Sequence, residues 1–497
     1  MLAYRSWPSW AWLRLRWAVA AVAVGALLGL LAARFSPALV IAAVAGGVML
    51  VVILRAPEVG LLATMLLSAG FVAPTSLPQV PFGPFDLNLA EVIVLVQLAH
   101  VAWRGLTRRG AVRVRTPLGG LVVWFLFAVL LSAMRAVLLY STDLFFVISR
   151  LRVLLFYASF LVVVGLVSTR RQARRLVGGL YAIAVALALA AVAQAVYPSF
   201  RLSGGQAATL ATAGQAHEGV LRVTLPGLPL IYVMLVVSVC DLALRDGARL
   251  LPSLLRALAL GAGIVLAFQR NYWLTLGLVF GAAIVVIGGR PRRRIVRAVA
   301  AGLLIVTLTA TYAGGDITRY AVATRDRLLW GLSSRTLIQD RSAQMRLLET
   351  RYALDSIARH PLLGIGIGGY YRPAVPEDAY WREAGGRSLR YYVHNAYLWI
   401  AVKTGVIGLA PLVAFLALSV ARGLARWRAL SDPWERSLVL GLSLALMGQA
   451  VSNIVTPNLV EAPALVVYPI AIGVSEVVLF QSSGADARRT PAREAGA

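Results

Sequence analysis

The chain has 497 residues, 59% of them hydrophobic, and carries 48 Lys and Arg against 21 Asp and Glu for a formal net charge of +27. A mean hydropathy of +0.77 excludes a soluble globular domain, and repeated apolar runs near the ~17–25 residues that cross a bilayer make the chain polytopic. In a soluble protein such charge would point to nucleic acid; in a membrane protein basic loops orient the spans, so nucleic acid is not an expected partner.

The first apolar run, 17–33, follows Arg5, Arg14 and Arg16 as a signal peptide would. It is long for one and the next run begins almost at once, at Pro37, so an uncleaved first helix is expected. Further spans are expected at 37–54, 59–73, 89–103, 118–134, 151–167, 176–196, 219–240, 254–268, 271–287, 296–312, 396–421, 437–453 and 463–480, about fourteen in all.

The gaps between these runs alternate in charge. Residues 74–88 and 454–462 hold no Arg, whereas Arg104, Arg108, Arg109, Arg113 and Arg115 crowd one gap, Arg170, Arg171, Arg174 and Arg175 a second, and Arg290, Arg292, Arg293, Arg294 and Arg297 a third. The basic gaps are read as cytoplasmic, which places both termini inside and the large 313–394 loop outside. That loop has twelve Arg against eight acids, a basic external surface suited to an anionic lipid headgroup. The expected organisation is membrane helices over 1–312, an extracytoplasmic catalytic loop over 313–395, membrane helices again over 396–480, and a disordered cytoplasmic tail over 481–497.

Cys240 is the only cysteine, so no disulfide or Cys-based metal site forms within one chain. The histidines at 100, 217, 360 and 394 lack zinc-ligand spacing, and neither a metal nor another cofactor is expected.

The polar stretch from Arg341 to Leu409 carries the chemistry. Met345, Leu348, Tyr352 and Ile357 recur at helical spacing, Ser342 is placed to cap that helix, and His360-Pro361 stops it. Gly364, Gly366, Gly368 and Gly369 then allow a sharp bend. They spell G-x-G-x-x-G, but without the strand-turn-helix setting of a dinucleotide site. Two readings remain: backbone amides approaching a diphosphate, or a packing turn. Arg346 lies near a helix start, where an anion is favoured; it could instead pair with Glu349 three residues on. His394 follows Tyr391-Tyr392 and precedes Asn395, with Tyr397 and Trp399 close by, at the point where the chain re-enters an apolar run. A neutral imidazole there can accept a hydroxyl proton. Arg270, in QRNYW between two spans, either contacts a diphosphate or snorkels to lipid phosphates. His217, Glu218 and Arg222 fall on the same external side. Lys403 is an intramembrane charge about 13 Å along the helix from His394.

Arg346, His360-Pro361, Gly364-Ile365-Gly366, His394-Asn395-Ala396-Tyr397-Leu398 and Gly405-Val406-Ile407-Gly408 stand in the order and spacing found in the O-antigen ligase and polymerase superfamily, bacterial envelope glycosyltransferases that this segment resembles. Two positions depart from that pattern: Thr350 where an aromatic is expected and Lys403 where an acid is expected. The resemblance implies an all-α polytopic protein of about 12–14 transmembrane helices with one large, helix-containing external loop, similar to the GT-C architecture. It implies transfer of a glycan from a polyprenyl-diphosphate donor to a glycan or lipid acceptor, with membrane lipid as the third partner, in the bacterial inner membrane. His394 would be the catalytic base, Arg346 and Arg270 the diphosphate ligands, and Arg341, Asn395, Tyr397 and Arg222 secondary contacts. Ligase, polymerase and protein O-oligosaccharyltransferase remain open within the class, and a transporter or flippase for an anionic solute is the alternative outside it.

Overall fold

The computed structural model describes residues 37–71, 76, 79–82, 85–107, 116–197, 206–212, 215–245, 250–297, 299–300, 319, 322–327, 341–373 and 390–494. The expected first span, 17–33, and residues 301–312 of the eleventh lie outside these. The chain divides into two units, 1–56 and 57–497. The first contains α1 (Pro37–Arg55), apolar throughout apart from its closing arginine.

The second unit runs through α2 (Pro57–Ser68), β1 (Gln79–Phe82), β2 (Phe85–Asn88), α3 (Leu89–Leu106), α4 (Leu118–Tyr140), α5 (Leu144–Leu154), α6 (Ser159–Leu166), α7 (Arg170–Val196), β3 (Gln206–Thr212), β4 (Gln215–Thr224), α8 (Leu228–Leu244), α9 (Leu250–Leu266) and α10 (Arg270–Ile287). It closes with α11 (Arg341–Arg359), α12 (Ala396–Arg426), α13 (Pro433–Ser452), the short α14 (Ala462–Leu465) and α15 (Val467–Glu494), the last continuing into the segment expected as a tail. The fold is that of an all-α polytopic membrane protein. Six described helical segments are long and apolar enough to cross a membrane: Leu89–Leu106, Leu118–Tyr140, Leu144–Leu166, Arg170–Ala195, Arg270–Ile287 and Ala396–Ala429. Leu228–Leu244, Leu250–Leu266 and Val467–Ser482 are apolar but shorter.

Two small antiparallel hairpins interrupt the helices, β1–β2 and β3–β4. The second corrects the span expected from 219. Val220, Leu221, Arg222 and Val223 form strand, with Arg222 opposite Ala208, and Pro226-Gly227 then separates it from α8, which begins at Leu228 with a proline in its first turn. A β-branched, alternating stretch beside an apolar run merges with it in a hydropathy reading.

α8 is buried on nearly every face, as a helix apolar all round must be. It packs on α13 through small residues. A Cβ on Gly441 would come 2.6 Å from Val237 Cα, and one on Gly448 2.1 Å from the Tyr232 hydroxyl. Such close approach gains van der Waals contact where lipid provides no hydrophobic drive between helices.

Buried carboxylates pair with arginines at one end of this bundle. Glu58 meets Arg175 (3.4 Å), Glu435 meets Arg170 (3.0 Å), Asp241 meets Arg245 (2.6 Å), and Glu476 takes Arg422 in a two-pronged contact at 2.9 Å. Arg170 and Arg175 come from one of the basic gaps. Breaking such a buried pair costs about 3–5 kcal/mol. The opposite helix ends carry the site.

Candidate active site

α11 turns Met345, Glu349, Ala353 and Ser356 inward, a stripe with spacing of four, four and three. A carboxylate therefore sits on the buried face, with Glu349 only 1% exposed. The helix starts at Arg341, so Ser342 lies inside the first turn rather than capping it, and it ends at Arg359 before His360-Pro361 as expected.

The glycine-rich segment that follows docks into a break in α12. Gly405 has φ 63° and ψ −164°, which no continuous helix permits. The Val402 and Lys403 carbonyls at the break accept from the Ile365 and Gly366 amides at 2.8 and 3.1 Å. In return the Val406 and Ile407 amides donate to the Pro361 and Leu362 carbonyls at 2.9 and 3.3 Å. Backbone groups that a broken helix would leave unsatisfied in an apolar setting are thus paired. Glycine is required on both sides: a Cβ on Gly364 would lie 2.5 Å from the Lys403 carbonyl carbon, and one on Gly405 2.1 Å from the Leu362 oxygen. The amides of Gly364 and Gly369 are also taken, by the His360 and Gly366 carbonyls. Of the two readings of this turn, packing is the one the geometry supports.

His394 sits just before α12. Its backbone amide donates to Glu349 Oε2 at 3.1 Å, and its Nδ1 lies 3.0 and 2.9 Å from Oε1 and Oε2. An ionised carboxylate at Nδ1 selects the tautomer protonated there and leaves Nε2 as the acceptor. Nε2 has no hydrogen-bond partner among the described residues, and the side chain is 24% exposed. The Tyr392 ring packs edge-on against the imidazole, centroids 4.9 Å apart, and is held by its own hydroxyl donating to Glu461 at 2.8 Å. Both oxygens of Glu349 therefore serve His394, where the helical spacing suggested Arg346.

Glu349 is the residue that reading by charge spacing missed. The available signal was a carboxylate on the apolar stripe of α11, which needs a buried partner somewhere in the fold. Arg346 lies one turn before it and is exposed, and Arg341 contributes the helix start.

Asn395 and Tyr397 both make contacts within the fold. Asn395 Oδ1 caps α12, accepting from the Tyr397 and Leu398 amides at 3.0 and 3.1 Å. The Tyr397 hydroxyl donates to the Ala450 carbonyl at 2.8 Å. His217 lies on β4 beside Glu218.

Arg270 opens α10 after a tight turn in which Phe268 adopts a left-handed conformation, φ 48°. Side chains brace that turn from two directions: Arg222 Nε donates to the Ala267 carbonyl at 3.2 Å and Arg327 Nε to the Phe268 carbonyl at 2.8 Å. Strand alternation puts Val220 on the same face as Arg222, where it packs with Leu210, Phe268 and Ala323. Burial, and next the nearby Arg270 charge, lower the pKa of Arg222. The two cations are therefore neighbours.

Short contacts link this turn to His394. Asn271 Nδ2 donates to Ser452 Oγ at 2.7 Å, and the Ala396 amide donates to the Asn453 carbonyl at 3.0 Å. The starts of α10 and α12 thus meet at the end of α13. Arg270 opens α10, which meets the end of α13 beside the His394 segment, and Arg346 lies on α11, which contacts His394 through Glu349. Among the described residues no cluster of His, Cys, Asp and Glu could hold a metal ion.

Residues 255–413 match the family model described as O-antigen ligase. The matched segment includes Arg270, Arg346, Glu349, His394 and Lys403. No curated protein matches the chain.

Proposed function

Taking the chain as a member of the O-antigen ligase family, we propose that it transfers a glycan from a polyprenyl-diphosphate carrier to an acceptor hydroxyl at the outer face of the bacterial inner membrane. The observation that carries this reading is the Glu349–His394 pair. A buried carboxylate orients an imidazole whose other nitrogen is open, which is the arrangement a general base needs.

In the proposed step the acceptor hydroxyl gives its proton to His394 Nε2 while its oxygen bonds to the anomeric carbon of the donor. The bond from that carbon to the diphosphate oxygen breaks, and its electron pair leaves with the diphosphate. Attack opposite the leaving group inverts the centre. Arg346 and Arg270 neutralise charge as it develops on the diphosphate, with Arg222 and Arg327 steadying the turn that presents Arg270. Glu349 stays ionised and stabilises the imidazolium that forms. The diphosphate is already a good leaving group, so the step uses neither nucleotide nor metal.

The arginine-rich helix ends are assigned to the cytoplasm and the His394 end to the outside. A transporter would need charges at mid-membrane in several spans. The described ion pairs of Glu58, Asp241 and Glu435 lie at helix ends instead, and Glu476 pairs with Arg422 in the last turns of α12.

The test is transfer from a synthetic polyprenyl-diphosphate glycan by the full-length protein in detergent. Product that forms with wild type and not with His394→Ala supports the reading; equal product from both sinks it. The intermediate that accumulates in a deletion strain then separates the acceptor classes: carrier-linked long polymer for a ligase, single repeat units for a polymerase.

A further inference from the structure

Among the 48 Lys and Arg residues only Lys403 is a lysine, and it is 0% exposed. It lies on α12 two residues before the break at Gly405. Its ammonium donates to the Gly369 carbonyl and stands 4.3 Å from the centroid of the Tyr391 ring and 5.9 Å from that of Tyr371. No carboxylate contacts it among the described residues. The Arg150 guanidinium already stands 4.9 Å from the centroid of the same Tyr391 ring. One carbonyl and two aromatic faces accommodate a compact ammonium, whereas a guanidinium would bring five N–H donors and a wider plane into a closed site.

What Lys403 holds leads directly to the catalytic pair. Tyr391 lies three residues before His394 and packs edge-on against Trp399 and Phe146, at 5.8 and 5.3 Å. The 369–371 segment is tied to the 390–392 segment by the Tyr371 amide donating to the Arg390 carbonyl at 3.0 Å and the Tyr371 hydroxyl donating to the Tyr392 carbonyl at 3.1 Å. Tyr392 in turn packs on the imidazole. One ammonium therefore joins α12, the end of the glycine-rich turn and the strap that carries His394.

We propose that Lys403 is a positioning residue for the transfer: by pinning Gly369 and the Tyr391 ring, it holds the 390–394 strap in the register at which His394 meets Glu349. The positioning stands on the geometry alone, and its effect on rate rests on the proposed function.

The experiment uses full-length protein in detergent with Lys403→Met, which keeps the length and apolar bulk of the stem and removes the ammonium. Tyr391→Leu is the second variant, removing the ring and keeping the ammonium, should the first fail to fold. Amide hydrogen exchange should rise about tenfold or more at 364–371 and 390–395, while α8 and α13 keep wild-type protection. Turnover of the polyprenyl-diphosphate glycan should fall about tenfold or more with the donor KM within about threefold of wild type. In a Glu349→Gln background the same substitution should cost less than about threefold further, since both changes act through one contact. Wild-type exchange at 390–395, or losses that multiply with Glu349→Gln, would overturn the proposal. If the wild type transfers nothing from this donor, the proposed function fails and the exchange measurement alone decides the role of Lys403.

Discussion

Glu349 and His394 are 45 residues apart and meet through three contacts, the carboxylate accepting from the His394 amide at 3.1 Å and flanking its Nδ1 at 2.9 and 3.0 Å. The backbone contact fixes where the residue stands and the side-chain contacts fix which nitrogen faces outward. The pair should thus behave as a unit.

His394→Ala is expected to lower transfer by about 10²–10⁴-fold, the usual contribution of a general base. Glu349→Gln should cost about 10²-fold or more, because an amide can present its NH₂ to Nδ1 and favour the wrong tautomer. The double variant should be little worse than His394→Ala. His360→Ala, at a helix end where, among the described residues, the ring packs near Tyr140, serves as the control. Activity of His394→Ala within about threefold of wild type would remove the base from the mechanism.

Arg346→Lys and Arg270→Lys keep the charge but lose the planar fork that meets two phosphate oxygens at once. Each should lose most transfer activity. If both act on one diphosphate, the double variant should be little worse than the poorer single. Losses that multiply would assign the arginines to separate sites, and near-normal Arg270→Lys would return Arg270 to lipid contact.

Gly405→Ala should compromise folding rather than chemistry. A backbone at φ 63° and ψ −164° is essentially restricted to glycine and costs a side-chain residue about 1–3 kcal/mol, and here the added methyl would also meet the Leu362 oxygen at 2.1 Å. Gly364→Ala faces the same wall from the other side. The expected result is a lower monodisperse fraction in size-exclusion chromatography and a lower unfolding temperature for both. Wild-type behaviour would mean that the docked break is not required.

The orientation is tested by labelling with an impermeant thiol reagent on intact cells. With Cys240→Ser as background, Ser76→Cys and Gly385→Cys should be labelled, and Ala111→Cys and Ser483→Cys should not. Labelling at position 111 would reverse the assignment of the arginine-rich ends.

The sequence by itself determined the membrane class and most helix positions, and pointed to the segment that carries the candidate site, because these follow from local properties. Apolar run length sets a span, Pro361 ends a helix wherever it falls in sequence, and the charge of a gap needs no knowledge of its neighbours. It also singled out His394 and Arg346 through motif order and Arg270 through its place between two spans. Partnership was beyond it. Spacing offered Arg346 to Glu349, three residues apart on one helix, but the packing of α11 on α12 turned Glu349 inward to His394. Asn395 and Tyr397 looked like ligand contacts, and only the meeting of α12 with α13 committed Tyr397 to Ala450. The glycines at 364, 366 and 405 marked a bend and a break in sequence. That the bend fills the break, with the Ile365 and Gly366 amides donating to the Val402 and Lys403 carbonyls and the Val406 and Ile407 amides donating to the Pro361 and Leu362 carbonyls, was decided by tertiary structure, since unsatisfied backbone groups in an apolar interior take whichever partner the fold brings within reach.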